Sequence, residues 1–433
     1  MANDKKINVI TLGCSKNVVD SEKLLKQIGA GGFEIAYNVP DSDAGTVIIN
    51  TCGFINDARE ESIEVILQYV EKLKSGRIGR LYVMGCLSEK YSEELKKEIP
   101  EVNKYFGVNS MVDILNELGI EQNSLLSTDR SLTGPSHYAY LKIAEGCDRT
   151  CSFCAIPGIR GKYVSQPVEQ LIAEAAKLAE NGVKELILIA QDLSYYGLDI
   201  YKKHALPALI NELAKIDRIE WIRLNYLYPA NFLEELIDMI RDNPKICKYI
   251  DLPIQHISDK MLRLMRRSHN RYETEKILNR LRNEIPDAVI RTTLIAGHPG
   301  ETENEFNELK EFIESFKFDR LGVFKYSHEE GTYSGESYKD DISEEVKEMR
   351  VAELMAVQQD ISEALNRRYI GKTLKTIIDR REGDYFVGRT EYDTPEVDQE
   401  VLISSKHNLT TGAFYHIKIN QSTEFDLFGE VVV

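Results

Sequence analysis

Three cysteines fall within eight residues, Cys147-Asp-Arg-Thr-Cys151-Ser-Phe-Cys154, directly after the apolar segment Tyr138–Ala144. A chain written this way must fold so that a strand delivers three thiols to one point and leaves a fourth ligand position open. Closed zinc and iron–sulfur sites take four protein ligands, and the usual zinc signature pairs two C-x2-C halves. No second half follows here, since the next cysteine, Cys247, stands alone far downstream. A four-iron cluster on three thiolates leaves one iron open, and an open iron is where chemistry happens. Core thiols scatter singly and do not form tight triplets.

The length of 433 residues allows about three domains. With 42% apolar and 29% charged residues the composition is that of an ordinary globular protein. The start, Met-Ala-Asn-Asp-Lys-Lys, runs into a strand-like segment with no signal-peptide pattern, and no run is long enough for a membrane span. Seven cysteines in metal-like settings suit a reducing compartment, so the expectation is a cytoplasmic protein with no membrane partner. The net charge of −16 disfavours a stable nucleic-acid partner, which phosphate neutralisation would reward with basic surface. It tilts instead toward a cationic partner such as a basic protein.

The expected fold class is α/β in three parts. In residues 1–120, Ile7–Leu12, Thr46–Asn50 and Leu81–Met84 read as buried strands, with helices at Val18–Ile28 and Ala58–Leu73, the second capped by Asn56 or Asp57. That rhythm predicts an open parallel sheet. Residues 121–137 lose periodicity and read as a linker. Residues 138–369 alternate six strands (Tyr138–Ala144, Glu185–Ala190, Trp221–Leu227, Tyr249–Ile254, Val289–Ile295, Arg320–Tyr326) with helices that include Val168–Glu180, Phe232–Ile240 and Glu305–Phe316. Six units predict a partial (β/α)6 TIM-like barrel, too few for eight-fold closure. A long helix, Ser343–Tyr369, with Val346, Leu354, Val357, Ile361 and Leu365 near one face, ends that part. Residues 370–433 carry five short strands (Leu374–Ile378, Tyr385–Arg389, Glu400–Ile403, Phe414–Lys418, Phe428–Val433) and predict a small antiparallel, OB-like β-barrel. From Gly371 onward this module holds seven Lys and Arg against eleven Asp and Glu, a net charge of −4.

A second cysteine set is dispersed. Cys14, Cys52 and Cys86 each end one of the first three strands, and each adjoins a glycine: Gly13-Cys14, Cys52-Gly53, Gly85-Cys86. Parallel strand ends collect on one edge, where ligands bind, and glycine lets backbone approach a bulky group. The three thiols are expected to converge as another three-cysteine site.

Cys147-x3-Cys151-x2-Cys154, with Phe153 before the last cysteine, resembles the cluster motif of radical S-adenosylmethionine enzymes. Thr11-Leu-Gly-Cys-Ser-Lys-Asn, Asn50-Thr-Cys-Gly-Phe-Ile and Met84-Gly-Cys86 look like the additional cluster domain of methylthiotransferases, and the C-terminal module resembles their TRAM domain. Within that family the first cysteine motif is similar to the branch that methylthiolates an aspartate of small-subunit ribosomal protein S-twelve; the transfer-RNA branch more typically reads Gly-Cys-Gln-Met-Asn there. The resemblance implies two 4Fe-4S clusters, one on Cys147, Cys151 and Cys154 and an auxiliary one on Cys14, Cys52 and Cys86. It also implies S-adenosylmethionine as cofactor, a 5′-deoxyadenosyl radical that abstracts hydrogen from the aspartate β-carbon, and sulfur delivered from the auxiliary cluster. A reduced flavodoxin or ferredoxin-type donor would supply electrons.

Besides Phe153, the expected S-adenosylmethionine contacts are Gln191 and Asp192 after the second barrel strand, Gln255 ending the fourth, and Arg291 on the fifth. His256 reads equally as a mouth residue or a hydrogen-bonded loop residue, and Gly297-His-Pro-Gly-Glu-Thr302 as adenosine lining or a plain turn. Cys247 and Trp221 read as core. Alternative functions are a methylthiotransferase acting on transfer-RNA adenosine and, in another class, an iron–sulfur electron carrier.

Overall fold

The computed structural model describes residues 3–53, 55–230 and 232–432, so Phe54 of the second cysteine motif lies outside the described residues. The chain divides into two compact units, one of Met1–Gly134, Tyr140–Arg149 and Cys154–Lys177, the other of Pro135–Ala139, Thr150–Phe153 and Leu178–Val433.

The first unit is built on a parallel sheet of β1 (Asn3–Thr11), β2 (Glu34–Tyr37), β3 (Ala44–Thr51), β4 (Arg80–Gly85) and β5 (Lys104–Tyr105), in the order β2-β1-β3-β4-β5. Its inner strands β3 and β4 are buried along nearly their whole length because both faces are covered. Ile7, Val9 and Ile48 face one core with Leu24, Leu25 and Ile28 of the helix Ser15–Ala30. Ile10, Val47 and Ile49 face the other with Ile66 and Val70 of the helix Asn56–Lys74. The two strands that sequence reading missed, β2 and β5, are short edge strands with mostly half-exposed residues, too brief to show a period. The second helix begins at Asn56 with Ile55 as its cap, not at Asn56 or Asp57. The Asn56 amide donates to Glu60 (2.7 Å), so its side chain is turned along the helix instead of capping it.

The stretch after residue 121 contains one short 3-10 turn, Ser124–Leu126, and is strapped to the unit. Gln27 exchanges two hydrogen bonds with the Asn123 backbone (3.0 Å each). The buried Arg130 guanidinium lies between Glu22 (3.7 Å) and Glu174 (3.4 Å). A segment without periodicity is thus not a loose one.

The second unit carries β9 (Glu185–Ile189), β10 (Trp221–Leu224), β11 (Ile246–Asp251), β12 (Val289–Ala296) and β13 (Arg320–Lys325), each paired in parallel with the next. A sixth strand, β6 (Tyr138–Lys142), takes the end beside β9; the His137 carbonyl accepts from the Lys184 and Glu185 amides (2.7 and 3.0 Å). The sheet is open between β13 and β6, as six strands require. Short strands β7 (Ala144–Glu145) and β8 (Val164–Ser165) pair separately.

The long helix runs Glu344–Asn366 and continues as the 3-10 turn Arg367–Tyr369. Its buried face mixes Leu354 and Ile361 with Lys347, Arg350, Gln358 and Asn366, which is why its apolar stripe was thin. The last module, β14 (Thr373–Glu382), β15 (Tyr385–Thr390), β16 (Val401–Ser404), β17 (Phe414–Ser422) and β18 (Leu427–Val431), is a closed barrel ordered β14-β15-β16-β18-β17. Its pairings are antiparallel except β16–β18, which is parallel.

Buried charge holds this module to the starts of the larger sheet's strands. Glu185, fully buried at the first position of β9, receives Arg223 (2.8 Å) and Arg389 of β15 (2.9 Å). Arg389 also meets Asp379 (2.6 Å), which in turn meets His137 (2.7 Å). Arg320 pairs with Asp393 (2.7 Å) and Arg291 with Asp398 (3.6 Å). Burial resists ionisation of Glu185, but the two guanidiniums outweigh it and hold the carboxyl below its usual range. The C-terminal module therefore spends three of its carboxylates internally, which reduces the acid it displays to a partner.

Breaking one member of a buried, paired set strands its partners, at a cost of about 3–5 kcal/mol. Glu185→Ala is expected to destabilise the protein by about that amount in denaturant titration, whereas Glu382→Ala at the exposed Arg380 pair should change stability by less than about 1 kcal/mol.

Candidate functional site

The sheet order makes β1, β3 and β4 direct neighbours, with Thr11 opposite Asn50 and Thr51 opposite Gly85. Cys14, Cys52 and Cys86 therefore leave the same edge side by side. Cys52 and Cys86 are buried and Cys14 is exposed. Cys14 stands at the N-cap position of the helix Ser15–Ala30. Gly13 and Gly85 adopt φ of +86° and +100°. A methyl group at Gly13 would stand 2.5 Å from Cys52 Cβ, and one at Gly85 2.5 Å from the Thr51 carbonyl oxygen. Only glycine lets the strand ends close on these thiols.

Burial pushes the Cys86 thiol up to about 11; the Arg160 guanidinium pulls the other way, and the nearby Cys14 and Cys52 sulfurs add to the rise. Cys86 packs with Val108, Ala155 and Ile159, so the helix Ile156–Arg160 that follows Cys154 lies against the Cys86 turn. Arg160 itself donates to Asn17 Oδ1 (2.6 Å) and Glu145 Oε1 (2.9 Å) and faces Asp20 (3.4 Å). Lys142 completes the group, pairing with Asp20 and with Glu145 (2.6 Å). Burial would raise the Glu145 carboxyl, but Lys142 and Arg160 hold it at about 2.

The triplet sits between β7 and the helix Ile156–Arg160. Cys147 is buried, and its amide donates to the Gly161 carbonyl (3.1 Å) while the Arg149 amide donates to its sulfur (3.4 Å). At Cys151, Arg267 Nη1 donates to Sγ (3.3 Å); Nη2 is tied to the Pro253 carbonyl (2.8 Å), and the guanidinium lies 4.2 Å over the Tyr228 ring. Ser152 anchors the next step of the loop. Its amide donates to the Met265 carbonyl (2.9 Å), its carbonyl accepts from the Ser334 amide (2.7 Å), and its hydroxyl donates to His298 Nε2 (3.4 Å). Hydrogen bonds to a sulfur favour its anionic form and tune any metal it holds. Among the described residues no three His, Cys, Asp or Glu side chains close on a single metal ion; a cluster spreads its thiolates over different irons.

Phe153 is half-buried beside Cys154. Gln191 and Asp192 follow β9, and Asp192 is buried as the cap of the turn Leu193–Tyr195, accepting from the Ser194 amide (2.8 Å). Gln255 continues beyond β11 in the left-handed region (φ +70°), bridged to Leu294, and its side-chain oxygen is buried without a hydrogen-bond partner in the protein. It lines a cavity of about 290 Å³ with Tyr226, Asp251, Arg291, Thr293 and Phe324. Arg291 lines the same cavity, but its guanidinium is engaged by Asp251 (2.9 Å) and Asp398 (3.6 Å). His256 is a hydrogen-bonded loop residue: Nδ1 accepts from the Ile257 and Ser258 amides (2.9 and 3.0 Å), with Glu301 3.5 Å from Nε2. Cys247 is a core thiol packed with Trp221, Tyr249 and Val289, and burial raises it strongly.

Sequence reading missed Arg160, Arg267 and Ser152. Arg160 alone left a trace, as one charge closing the otherwise apolar turn Ile156-Pro-Gly-Ile.

Three family profiles match: the Radical SAM superfamily over residues 141–313, the Uncharacterized protein family UPF0004 over 6–107, and the TRAM domain over 370–432. Solved structures with a similar fold include the radical S-adenosylmethionine methyltransferase TsrM from Kitasatospora setae, at 14% identity and a TM-score of 0.55, covering 77% of each chain. Another is the cobalamin-dependent S-adenosylmethionine radical enzyme OxsB, at 12% identity and a TM-score of 0.52, covering 82% of this chain and 56% of that one. The class is thus a radical S-adenosylmethionine protein carrying an additional N-terminal α/β domain and a TRAM module. Whole-length relatives narrow it. Ribosomal protein uS12 methylthiotransferase RimO of Bacteroides fragilis is 51% identical over 429 residues, covering 99% of each chain, and that of Flavobacterium johnsoniae is 53% identical over 427 residues, covering 98% of each. The chain belongs to the RimO family of ribosomal protein uS12 methylthiotransferases.

His298 offers a pH test of the loop's anchorage. Its Nδ1 donates to the Pro299 carbonyl (3.0 Å) and Nε2 accepts from the Ser334 (3.2 Å) and Ser152 hydroxyls, so the ring is neutral. Burial lowers it to about 4 from an ordinary 6.5. Between these values the unfolded chain binds a proton that the folded one refuses, so stability falls as pH drops from about 6.5 to about 4, by at most about 3 kcal/mol. Denaturation midpoints measured across that range should slope less in His298→Gln than in wild type; equal slopes would refute the assignment.

Proposed function

We propose that this protein adds a methylthio group to the β-carbon of an aspartate in small-subunit ribosomal protein uS12, using two 4Fe-4S clusters and S-adenosylmethionine. The observation that carries the reading is the shared edge of β1, β3 and β4, which gathers Cys14, Cys52 and Cys86 into a second thiol site in the same unit as Cys147 and Cys154. A simple radical initiator needs one open-iron site, so a second set of thiols supports sulfur delivery beside initiation. Whole-length likeness to uS12 methylthiotransferases supports the substrate.

The donors fit the cofactors. Soft thiolates with hydrogen-bond support suit iron–sulfur clusters, and the unmet Gln255 oxygen on the cavity wall suits a ligand rich in hydroxyl and ammonium donors. Cys147, Cys151 and Cys154 would hold one cluster, and Cys14, Cys52 and Cys86 the other. Phe153, Gln191, Asp192, Gln255 and Arg291 would form the S-adenosylmethionine site. When bound, these groups supply one-electron chemistry, a methyl group and sulfur. The chain's own part is to hold and shield: Arg267 and the Arg149 amide donate to two of the sulfurs, burial of Cys52, Cys86 and Cys147 limits water, and Ser152 fixes the loop. Arg291, already paired with two carboxylates, acts by orienting Asp251. The division at 1–120, 121–137, 138–369 and 370–433 assigns one role to each part: sulfur site, strap, initiation and substrate contact. A flavodoxin or ferredoxin-type donor delivers electrons in the cytoplasm, and the stable partner is the protein substrate, not nucleic acid.

The test is an anaerobic assay of the reconstituted, reduced enzyme with S-adenosylmethionine, run in parallel on the small ribosomal subunit and on transfer RNA. Mass spectrometry should find the methylthio group on uS12 aspartate; modification of transfer RNA alone would defeat the reading. Cys147/Cys151/Cys154→Ala should lose activity yet keep about half the wild-type iron, since each cubic cluster holds its own four. Loss of all iron would argue against two independent clusters.

A further inference from the structure

Arg160 links both cysteine segments of the first unit. Its side chain is 2% exposed, and it bonds Asn17 and Asp20 in the helix that follows Cys14, and Glu145 two residues before Cys147; it ends the helix Ile156–Arg160, whose Ile159 packs against Cys86. Within this shell Arg160 and Lys142 balance Asp20 and Glu145, so the immediate surroundings of the thiols are neutral only while Arg160 is present.

We propose that Arg160 is a positioning and tuning residue that raises the reduction potential of the cluster held by Cys14, Cys52 and Cys86. The inference rests on the reading that those thiols hold a cluster. One-electron reduction adds a negative charge to the cluster, and a buried cation close to its ligands stabilises that reduced form. Taking the guanidinium away also leaves Lys142 alone to balance Asp20 and Glu145, and the excess negative charge opposes the added electron further. Through Glu145 the same residue ties the auxiliary site to the segment entering the Cys147 loop, so the two cysteine sets are set in place by one fork of hydrogen bonds.

The experiment uses the full-length Cys147/Cys151/Cys154→Ala chain, in which only the N-terminal thiols can hold iron, reconstituted anaerobically with iron and sulfide. Dithionite titration followed by electron paramagnetic resonance gives the midpoint, and iron is counted on every sample. Arg160→Met is expected to lower the reduced-to-oxidised ratio at the parent's midpoint about tenfold, a shift of about 59 mV for one electron. Arg160→Lys, which keeps the charge, should stay with the parent, and Asp20→Asn should shift the midpoint upward. A full-iron Arg160→Met protein with the parent's midpoint overturns the proposal. So does loss of iron in both Arg160 variants, which would make the residue purely structural. If Arg160→Met alone fails to hold iron, Asp20→Asn decides: no upward shift overturns the proposal. A parent chain that holds no iron refutes the cluster reading itself.

Discussion

Parallel strands all finish on one edge of their sheet, and the candidate chemistry of this chain depends on that constraint. In the first unit β1, β3 and β4 stop together and hand off Cys14, Cys52 and Cys86. In the second, β9 hands off Gln191 and Asp192, and β11 leads to Gln255. Residues tens of positions apart thus become neighbours without any loop reaching far. The cost is steric, because three thiols and three backbones must share little space, and Gly13 and Gly85 meet it with left-handed conformations.

Buried charge does the rest of the positioning. Hydrophobic contact is tolerant of small shifts, whereas a guanidinium fork between two carboxylates has one good geometry. Glu185 with Arg223 and Arg389 fixes the C-terminal module at the strand starts, and Arg160 with Asp20 and Glu145 fixes the turn after Cys154. Such sets are weak as net stabilisers but severe when broken, because the partner left behind is a bare charge in a dry place.

Much of the fold was legible because its strands are short, apolar and bounded by turn residues: the helix Val168–Glu180 lies where periodicity puts it and the inner strands overlap their expected ranges, although β11 starts three residues early and β10 ends three residues short. Edge strands β2 and β5 were not, since half-exposed runs of four and two residues carry no pattern. The long helix was legible in extent but not in character, as Lys347, Arg350, Gln358 and Asn366 are buried on it. The acidity of the last module suggested a surface for a basic partner, yet Asp379, Asp393 and Asp398 turn inward to arginines. Charge counts add residues without regard to where they point.

By itself the sequence determined the chemistry on offer: six thiols in two sets of three, one set by spacing along the chain and the other by recurrence at strand ends. Local spacing suffices for Cys147, Cys151 and Cys154, because three thiols within eight residues can turn onto one site without help from distant chain. Only the tertiary structure decided what surrounds those sulfurs. Arg267 meets Cys151 from 116 positions away and Arg160 meets Asn17 from 143. A hydrogen bond depends on distance in space, and that distance is set by packing of whole sheets, not by any motif.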